Sequence, residues 1–388
     1  MIDFAQPPEL ESLQARLREF IDTVVIPREA EVTADPAVLE SVRAELQIQG
    51  RAAELFLPHM PVAYGGLGLR WTDLAVLLEE AGRSLLGPHA LNASAPDEGN
   101  MHLLSHVANG AQKRDFLEPL CRGQTRSCFA MTEPAPGAGS DPNMLQASAE
   151  QDGSGWVINA HKWYTTGAQG AAFALVLVRT PQGPTIFIVP AGHPGFTIKR
   201  RLSTLDHLAP GGHCELEFVD CQVGPEHVLG EPGKGFEYAA LRLDPARLTH
   251  CMRWLGVAVR SMEIAMTYAN QRSSFGSRLA EHQMVQAMIA DSQIEIHASR
   301  MMILQAAWKL DRGERVRHEA SMAKVFVSET VDRVVDRAVQ ICGGLGICDD
   351  LPLAAFYKES RPFKIYDGPN EVHRMSIAKR VLKAAMKD

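Results

Sequence analysis

Phe173-Ala174-Leu175-Val176-Leu177-Val178 and the following Thr185-Ile186-Phe187-Ile188-Val189 are two short apolar runs parted by Gly183-Pro184. Branched and aromatic side chains suit a pleated, half-buried backbone, and Gly-Pro is a turn former. The texture continues in both directions. Trp156-Val157-Ile158-Asn159 precedes these runs, and Phe196-Thr197-Ile198 and Cys214-Glu215-Leu216-Glu217-Phe218-Val219 follow them. Gly153, Pro190, Pro194-Gly195 and Pro210-Gly211-Gly212 supply the turns. Short strands at this spacing read as an antiparallel sandwich or barrel, not as βαβ units.

On either side the period changes from two to 3–4. Leu10, Leu13, Leu17 and Phe20 or Ile21 recur at helical spacing, as do Leu74, Val76, Leu77, Leu78 and Ala81, with Tyr64-Gly65-Gly66-Leu67-Gly68 as a loop between them. After Phe236, Ile289, Ile296, Ile303 and Leu310 repeat every seven residues. Val327, Val331, Val334 or Val335, and Ala338 form a second stripe that stops at Gly343-Gly344. Sustained stripes of this kind pack as a bundle. The fold class is therefore α+β and multi-domain: an N-terminal helical domain over residues 1–126, a central β domain over 127–235 and a C-terminal helical bundle over 236–388.

At 388 residues, 46% hydrophobic and 22% charged, the chain can bury large cores and is not disordered. A net charge of −7 offers no basic footprint for nucleic acid. The apolar run from Gly170 to Val178 is about half of the roughly 20 residues a membrane span needs, so no membrane is expected. The start, Met1-Ile2-Asp3-Phe4-Ala5-Gln6-Pro7-Pro8, resembles neither a signal nor a transit peptide. Seven cysteines without a Cys-x-x-Cys pair fit buried thiols in a reducing compartment, and the expected location is cytoplasmic.

Common motifs are missing. There is no Gly-x-Gly-x-x-Gly after a strand, no Gly-Lys-Ser/Thr phosphate loop, no His-Glu-x-x-His and no Gly-x-Ser-x-Gly elbow. His102 and His106 sit four apart, which alone describes an ordinary helix face, so no metal is expected.

What remains is an ordered set of segments. Phe129-Ala130-Met131-Thr132-Glu133-Pro134 leads into Gly137-Ala138-Gly139-Ser140-Asp141, and Ile158-Asn159-Ala160-His161-Lys162-Trp163-Tyr164-Thr165-Thr166-Gly167 follows. Arg272-Ser273-Ser274-Phe275-Gly276, Glu281-His282-Gln283 and Gln340-Ile341-Cys342-Gly343-Gly344-Leu345-Gly346 come later, and Ile365-Tyr366-Asp367-Gly368-Pro369-Asn370-Glu371 is last. In this order the chain resembles the flavin-dependent acyl-CoA dehydrogenases over nearly its whole length. Val62-Ala63-Tyr64-Gly65-Gly66-Leu67-Gly68, Val228-Leu229-Gly230 and Gly233-Lys234-Gly235-Phe236 also fit.

The resemblance implies an FAD cofactor, an acyl-CoA substrate, an electron-transferring flavoprotein as acceptor and a homodimer or homotetramer, with the family's bundle of four helices. It implies that Phe129, Met131 and Thr132 line the flavin edge and that the family's covering ring falls on Tyr164, with the hydroxyl donor on Thr166. Whether Trp163 or Tyr164 covers the flavin stays open. Arg272, Ser274, Phe275, His282 and Gln283 would reach the FAD of a neighbouring subunit, the guanidinium forking onto its pyrophosphate. Gln340, Gly343 and Gly344 match the stretch near the adenine half. Pro369 and Glu371 fall in the last cofactor segment. Pro369 replaces a threonine whose hydroxyl usually helps hold FAD, a contact Asn370 is offered to replace.

Oxidising a thioester to the 2,3-enoyl form needs a base at the α-carbon while hydride leaves the β-carbon. The resemblance assigns the base to Asp367, one methylene shorter than the family's usual glutamate. The alternative helix position carries Ala246, which cannot accept a proton. Ser140, Asp244, Arg247 and Gly368 match positions near the substrate, with Ala135-Pro136 as extra residues just ahead of Ser140. The segment from Asp367 to His373 resembles a subfamily acting on longer or modified chains. Three alternatives stand beside this reading: an acyl-CoA oxidase, a nitroalkane-oxidase-like enzyme with an aspartate base, and a non-catalytic binding protein.

Overall fold

The structure, a computed structural model, describes residues 5–386. The longer helices are α1 (Pro8–Phe20), α2 (Leu39–Ala52), α3 (Trp71–Ala81), α4 (Asp97–Val107), α5 (Gly235–Gln271), α6 (Gln283–Asp311), α7 (Arg317–Cys342), α8 (Leu353–Ser360) and α9 (Asn370–Ala385). The strands are β1 (Ser127–Ala130), β2 (Ser148–Asp152), β3 (Gly155–Thr166), β4 (Phe173–Thr180), β5 (Gly183–Pro190), β6 (Phe196–Arg201) and β7 (His213–Val223), with a small hairpin of β8 (Ser273–Ser274) and β9 (Ser277–Arg278). None of the described helices is long and apolar enough to cross a membrane.

The chain forms two compact units. One contains His59–Gly68 and Asn92–Ala246; the other contains the residues up to Pro58, Leu69–Leu91 and the residues from Arg247 onward. The passage from Ala246 to Arg247 lies inside α5, directly after Pro245, a residue that removes one helical hydrogen bond.

In the β unit a seven-stranded sheet has the order β1-β4-β2-β3-β7-β6, with β5 also on β4. β4 and β5 pair antiparallel from Phe173↔Pro190 to Thr180↔Gly183, as Gly183-Pro184 suggested. Phe173 to Val178 and Ile186 to Val189 are buried, which is why these runs carry no polar alternation. The sheet is not wholly antiparallel: β1 runs parallel to β4, and β2 meets β4 in parallel at Ser148↔Arg179. The chain from β1 and from β2 reaches β4 only by way of β3, which permits this, because only antiparallel neighbours can be joined by a tight turn. β6 is almost wholly exposed beyond Phe196 and carries Lys199, Arg200 and Arg201, charges that discourage further strand addition at this edge.

In the helical unit, α7 buries Val327, Val331, Val334, Val335 and Ala338 completely and packs on α6, α8 and α9. The α6 stripe is buried at Ile296 and Ile303 and half-exposed at Ile289 and Leu310. The early helices α1 and α3 belong to this unit, with Leu17, Ile21, Leu77 and Leu78 in its core. Two glycines set the contact of α3's end with α5: a Cβ on Gly82 would collide with the Arg253 carbonyl, and one on Gly256 with the Glu79 carbonyl. The seven cysteines are free thiols, six of them buried. Burial pushes the Cys121 and Cys251 thiols up to about 12, which leaves them inert.

Candidate active site

In the β unit, the segment after β1 is organised by a buried ion pair. Lys162 donates from Nζ to Glu133 Oε1 at 2.9 Å and to the Met131 carbonyl at 3.0 Å. Glu133 also accepts the backbone N–H groups of Ala138, Gln146 and Ala147 at 3.0, 2.7 and 2.9 Å, so one carboxylate gathers the whole loop that contains Ala135-Pro136. Burial pushes the Lys162 ammonium down to about 8 against the pull of Glu133. Burial opposes the Glu133 charge too, but Lys162 and the amides hold that carboxyl below its ordinary range. Ser140 lies exposed within this loop.

The Trp163 N–H donates to the Thr132 carbonyl at 3.0 Å, so two segments far apart in sequence meet. The β3–β7 register shifts between Lys162 and Thr165, and Tyr164 sits in that bulge at φ 50°. Adjacent strand residues ordinarily point to opposite faces. Here the bulge swings both rings to one side, their centroids 4.7 Å apart, with Tyr164 53% exposed. Thr166, at the end of β3, has its Oγ1 2.9 Å from His213 Nδ1, while His213 Nε2 lies 2.9 Å from Asp206 Oδ2. Burial opposes the Asp206 charge, but the His213 hydrogen bond and charge together with the Thr204 hydrogen bond outweigh it and hold the carboxyl low. A carboxylate can only accept, so Nε2 carries the proton that faces Asp206. Phe129 carries the Arg242 guanidinium 4.4 Å from its ring centroid. Met131 and Asp244 are half-buried.

In the helical unit, Asp367 occupies the turn before α9 at φ 53°, a left-handed conformation that Asp tolerates better than most residues. Gly368 follows at φ 97°, and a Cβ there would meet the His373 ring at 3.0 Å, so the Asp-Gly pair is a backbone requirement. The Asp367 carbonyl accepts Arg247 Nε–H at 2.9 Å and His373 Nε2–H at 3.1 Å. Lys324, fully buried in α7, donates to the Gly368 carbonyl at 2.9 Å and to Asn370 Oδ1 at 2.8 Å. The Asp367 carboxylate Oδ2 lies 3.3 Å from His250 Nε2. Burial pushes Lys324 down to about 8, with Asp367 acting the other way, and pushes His373 down to about 4, helped by Arg247 and Lys324. The turn is thus pinned at both carbonyls by cationic or neutral donors, and its carboxylate faces an imidazole.

The other expected residues of this unit form separate places. Arg272 precedes the β8–β9 hairpin, whose tip is Phe275 at φ 52° and Gly276 at φ 85°, the pair of positive angles a two-residue hairpin needs. Phe275 is 98% exposed; His282 lies within reach of the Ser274 carbonyl at 3.2 Å and bears on the hairpin from the start of α6. Gln283 and Gln340 are exposed, and Gly343 and Gly344 close α7 with open space around them. Pro369 precedes α9, and Glu371 is exposed in its first turn. Asn370 does not turn outward as a substitute for the missing hydroxyl. It is buried and bonded to Lys324, Ser328 and Glu329, because a buried amide must satisfy its polar atoms inside the unit.

The expected site did not include His250, Lys324, His373, His213 or Asp206. Two of them carried a signal. His250 stands three residues after Arg247 and so shares its helix face, and Lys324 interrupts an apolar stripe between Ala320 and Val327.

An isoalloxazine ring needs a flat wall, a hydroxyl and backbone polar groups at its edge. The exposed Tyr164 ring beside Trp163, with Thr132 and Thr166 on linked segments, has that composition, so the residues fit such a group. Comparison with known proteins agrees. Family models for the N-terminal, middle and C-terminal domains of acyl-CoA dehydrogenases match residues 7–124, 128–221 and 233–382. Mycobacterium tuberculosis FadE2, named a probable acyl-CoA dehydrogenase, is 35% identical over 98% of this chain and 97% of its own. Acyl-CoA dehydrogenase family member 11 of Gallus gallus is 35% identical over 97% of this chain, which spans 51% of that longer protein. A solved Mycobacterium abscessus structure assigned as an acyl-CoA dehydrogenase superposes with a TM-score of 0.92 at 34% identity, covering 98% of this chain and 100% of that one. With matches running from residue 7 to residue 382, this chain belongs to the acyl-CoA dehydrogenase family of flavoprotein oxidoreductases.

Proposed function

We propose that this chain oxidises an acyl-CoA thioester to its 2,3-enoyl-CoA, with Asp367 as the base. The observation that carries the reading is the Asp367 turn, a carboxylate on a backbone held by Arg247, His373 and Lys324. The Asp367 carboxylate takes the proton from the α-carbon as the β-carbon gives up hydride, and the C2=C3 bond forms between them. Bound FAD supplies the two-electron acceptor at its N5. Electrons then pass to an electron-transferring flavoprotein. Phe129, Met131, Thr132 and Thr166 line the flavin edge, and Tyr164 is the ring that covers it. Ser140, Asp244, Arg247 and Gly368 serve the substrate's thioester end.

The protein works as a homo-oligomer in which Arg272, the hairpin behind it with Ser274 and Phe275, His282 and Gln283, and the Gln340–Gly344 corner with Gly343 serve a neighbouring subunit's FAD; Pro369 and Glu371 complete the cofactor segment. A guanidinium on a pyrophosphate is a charge-assisted contact of about 1.5–3 kcal/mol. Arg272→Ala is therefore expected to weaken FAD retention roughly tenfold or more. The flavin-to-protein absorbance ratio after gel filtration reads this, and an unchanged ratio would remove Arg272 from the cofactor site.

The test of the activity is anaerobic bleaching of the flavin by a panel of acyl-CoA thioesters. Bleaching with slow reoxidation in air and fast reoxidation by an electron-transferring flavoprotein is expected. Rapid peroxide release would make the protein an oxidase, and bleaching by nitroalkanes alone would place the aspartate in that other chemistry. No bleaching by any thioester would leave a binding protein.

A further inference from the structure

We propose that His250 is a positioning residue for the base, a neutral imidazole locked with its proton on Nε2 that aims and steadies the Asp367 carboxylate. The proposal rests on Asp367 being the base and adds a residue that no family motif marks.

The argument starts at the far nitrogen of the ring. His250 Nδ1 lies 3.1 Å from Arg253 Nη2 and 3.5 Å from the Tyr366 hydroxyl. A guanidinium has no acceptor and keeps its protons at any working pH, so Nδ1 must supply the lone pair. The Tyr366 hydroxyl accepts the Trp254 indole N–H and has a proton of its own to give to Nδ1. Two donors converge on one nitrogen. The remaining proton of a neutral imidazole must then sit on Nε2, 3.3 Å from Asp367 Oδ2, where it donates to the carboxylate.

The ring cannot easily turn away. Its side chain is 12% exposed, and the Tyr366 and Phe363 rings lie 4.8 and 6.0 Å from it. His250 comes from α5, one turn after Arg247, so a single helix holds both the Asp367 carbonyl and the Asp367 carboxylate. That matters for an aspartate in particular. Its carboxylate is carried on two torsions, and rotation about the second exchanges the two oxygens at little cost. A fixed donor on Oδ2 sets the plane of the group, which proton transfer within hydrogen-bond reach requires. Charge acts in the same direction. Arg247 of α5, Lys324 of α7 and His373 of α9 stand around the turn, with Arg253 and Cys251 on α5 and Glu371 as the nearby acid. His250 places its ring nitrogen on the carboxylate itself, and a donor to the charged form favours that form.

The experiment compares His250→Leu, His250→Gln and Asp367→Asn in the FAD-loaded protein. The readouts are the rate of anaerobic flavin reduction as a function of pH and the affinity for the enoyl-CoA product. Leucine keeps bulk without a donor, and glutamine places an N–H near the Nε2 position. His250→Leu is expected to slow reduction roughly ten- to a hundredfold, the loss of one hydrogen bond to a charged group. It should also move the acid limb of the profile to higher pH and change product affinity less than about threefold. His250→Gln should restore most of the rate and return the limb. A His250→Leu protein matching wild type in rate and profile would overturn the proposal, as would equal slowing in both variants with an unmoved limb. Asp367→Asn separates the two claims. If it reduces flavin at the wild-type rate, the base assignment falls and His250 with it; if it is slow while His250→Leu is unaffected, only the role of His250 falls.

Discussion

Asp367→Asn should yield a folded, flavin-loaded protein that still binds enoyl-CoA but is reduced by its substrate roughly a hundred- to ten-thousandfold more slowly, the span general-base removal usually covers. The substitution is close to isosteric. Asparagine accepts the left-handed backbone at φ 53° as readily as aspartate does. The Arg247 and His373 hydrogen bonds go to the residue 367 carbonyl and the Lys324 bond to the Gly368 carbonyl, so none depends on the carboxylate. The amide oxygen can still accept from His250 Nε2. What disappears is the basic lone pair, and with Ala246 at the family's other base position no second carboxylate takes its place. Stopped-flow reduction measures the loss, and perturbation of the flavin spectrum by enoyl-CoA checks binding. Reduction within tenfold of wild type would remove the base from this turn.

Lys162→Met should be the most damaging substitution for stability in the β unit. It leaves Glu133, a buried carboxylate, with its charge no longer countered, a change that typically costs about 3–5 kcal/mol. For a unit of this size that corresponds to a melting-temperature drop of about 10 °C. The damage reaches the cofactor segment as well, because Lys162 also holds the Met131 carbonyl and Glu133 gathers the loop up to Ala147. Flavin content should fall together with the melting temperature. The double variant Lys162→Met with Glu133→Gln should lose less than the sum of the two single changes, since removing the stranded charge removes most of the penalty. Additive losses in a thermal melt would show that the pair is not energetically coupled.

The strand runs around Phe173 and Ile186 and the α7 stripe were legible because burial on both faces of a strand, or on one helix face, leaves a periodic apolar mark in adjacent residues. The Asp367 turn was marked in the sequence by the segment's resemblance to the family, and the folded backbone gives its Asp-Gly pair a conformational reason. Other features left no local mark. That α1 and α3 join the helices after Arg247 depends on contacts between residues some two hundred positions apart, which no periodicity encodes. The β3 bulge that turns both Trp163 and Tyr164 to one side arises from a register shift against β7, and strand alternation alone predicts the opposite. The parallel pairing of β1 with β4 likewise follows from how the sheet closes and not from either strand's composition.

The same division runs through the site. Residue types such as Asp367, Arg247, Arg272 and Thr166 stand in recognisable segments, so their candidacy could be read one residue at a time. Partnership could not. Lys324 meets the turn across 44 residues, His250 meets Asp367 across 117, and Asn370 turns inward to Ser328 instead of outward. Hydrogen bonds and charge pairs form wherever folding places donor and acceptor within about 3 Å. The linear chain therefore determines which chemistry is present, and only the packed helices and sheet decide which groups act on one another.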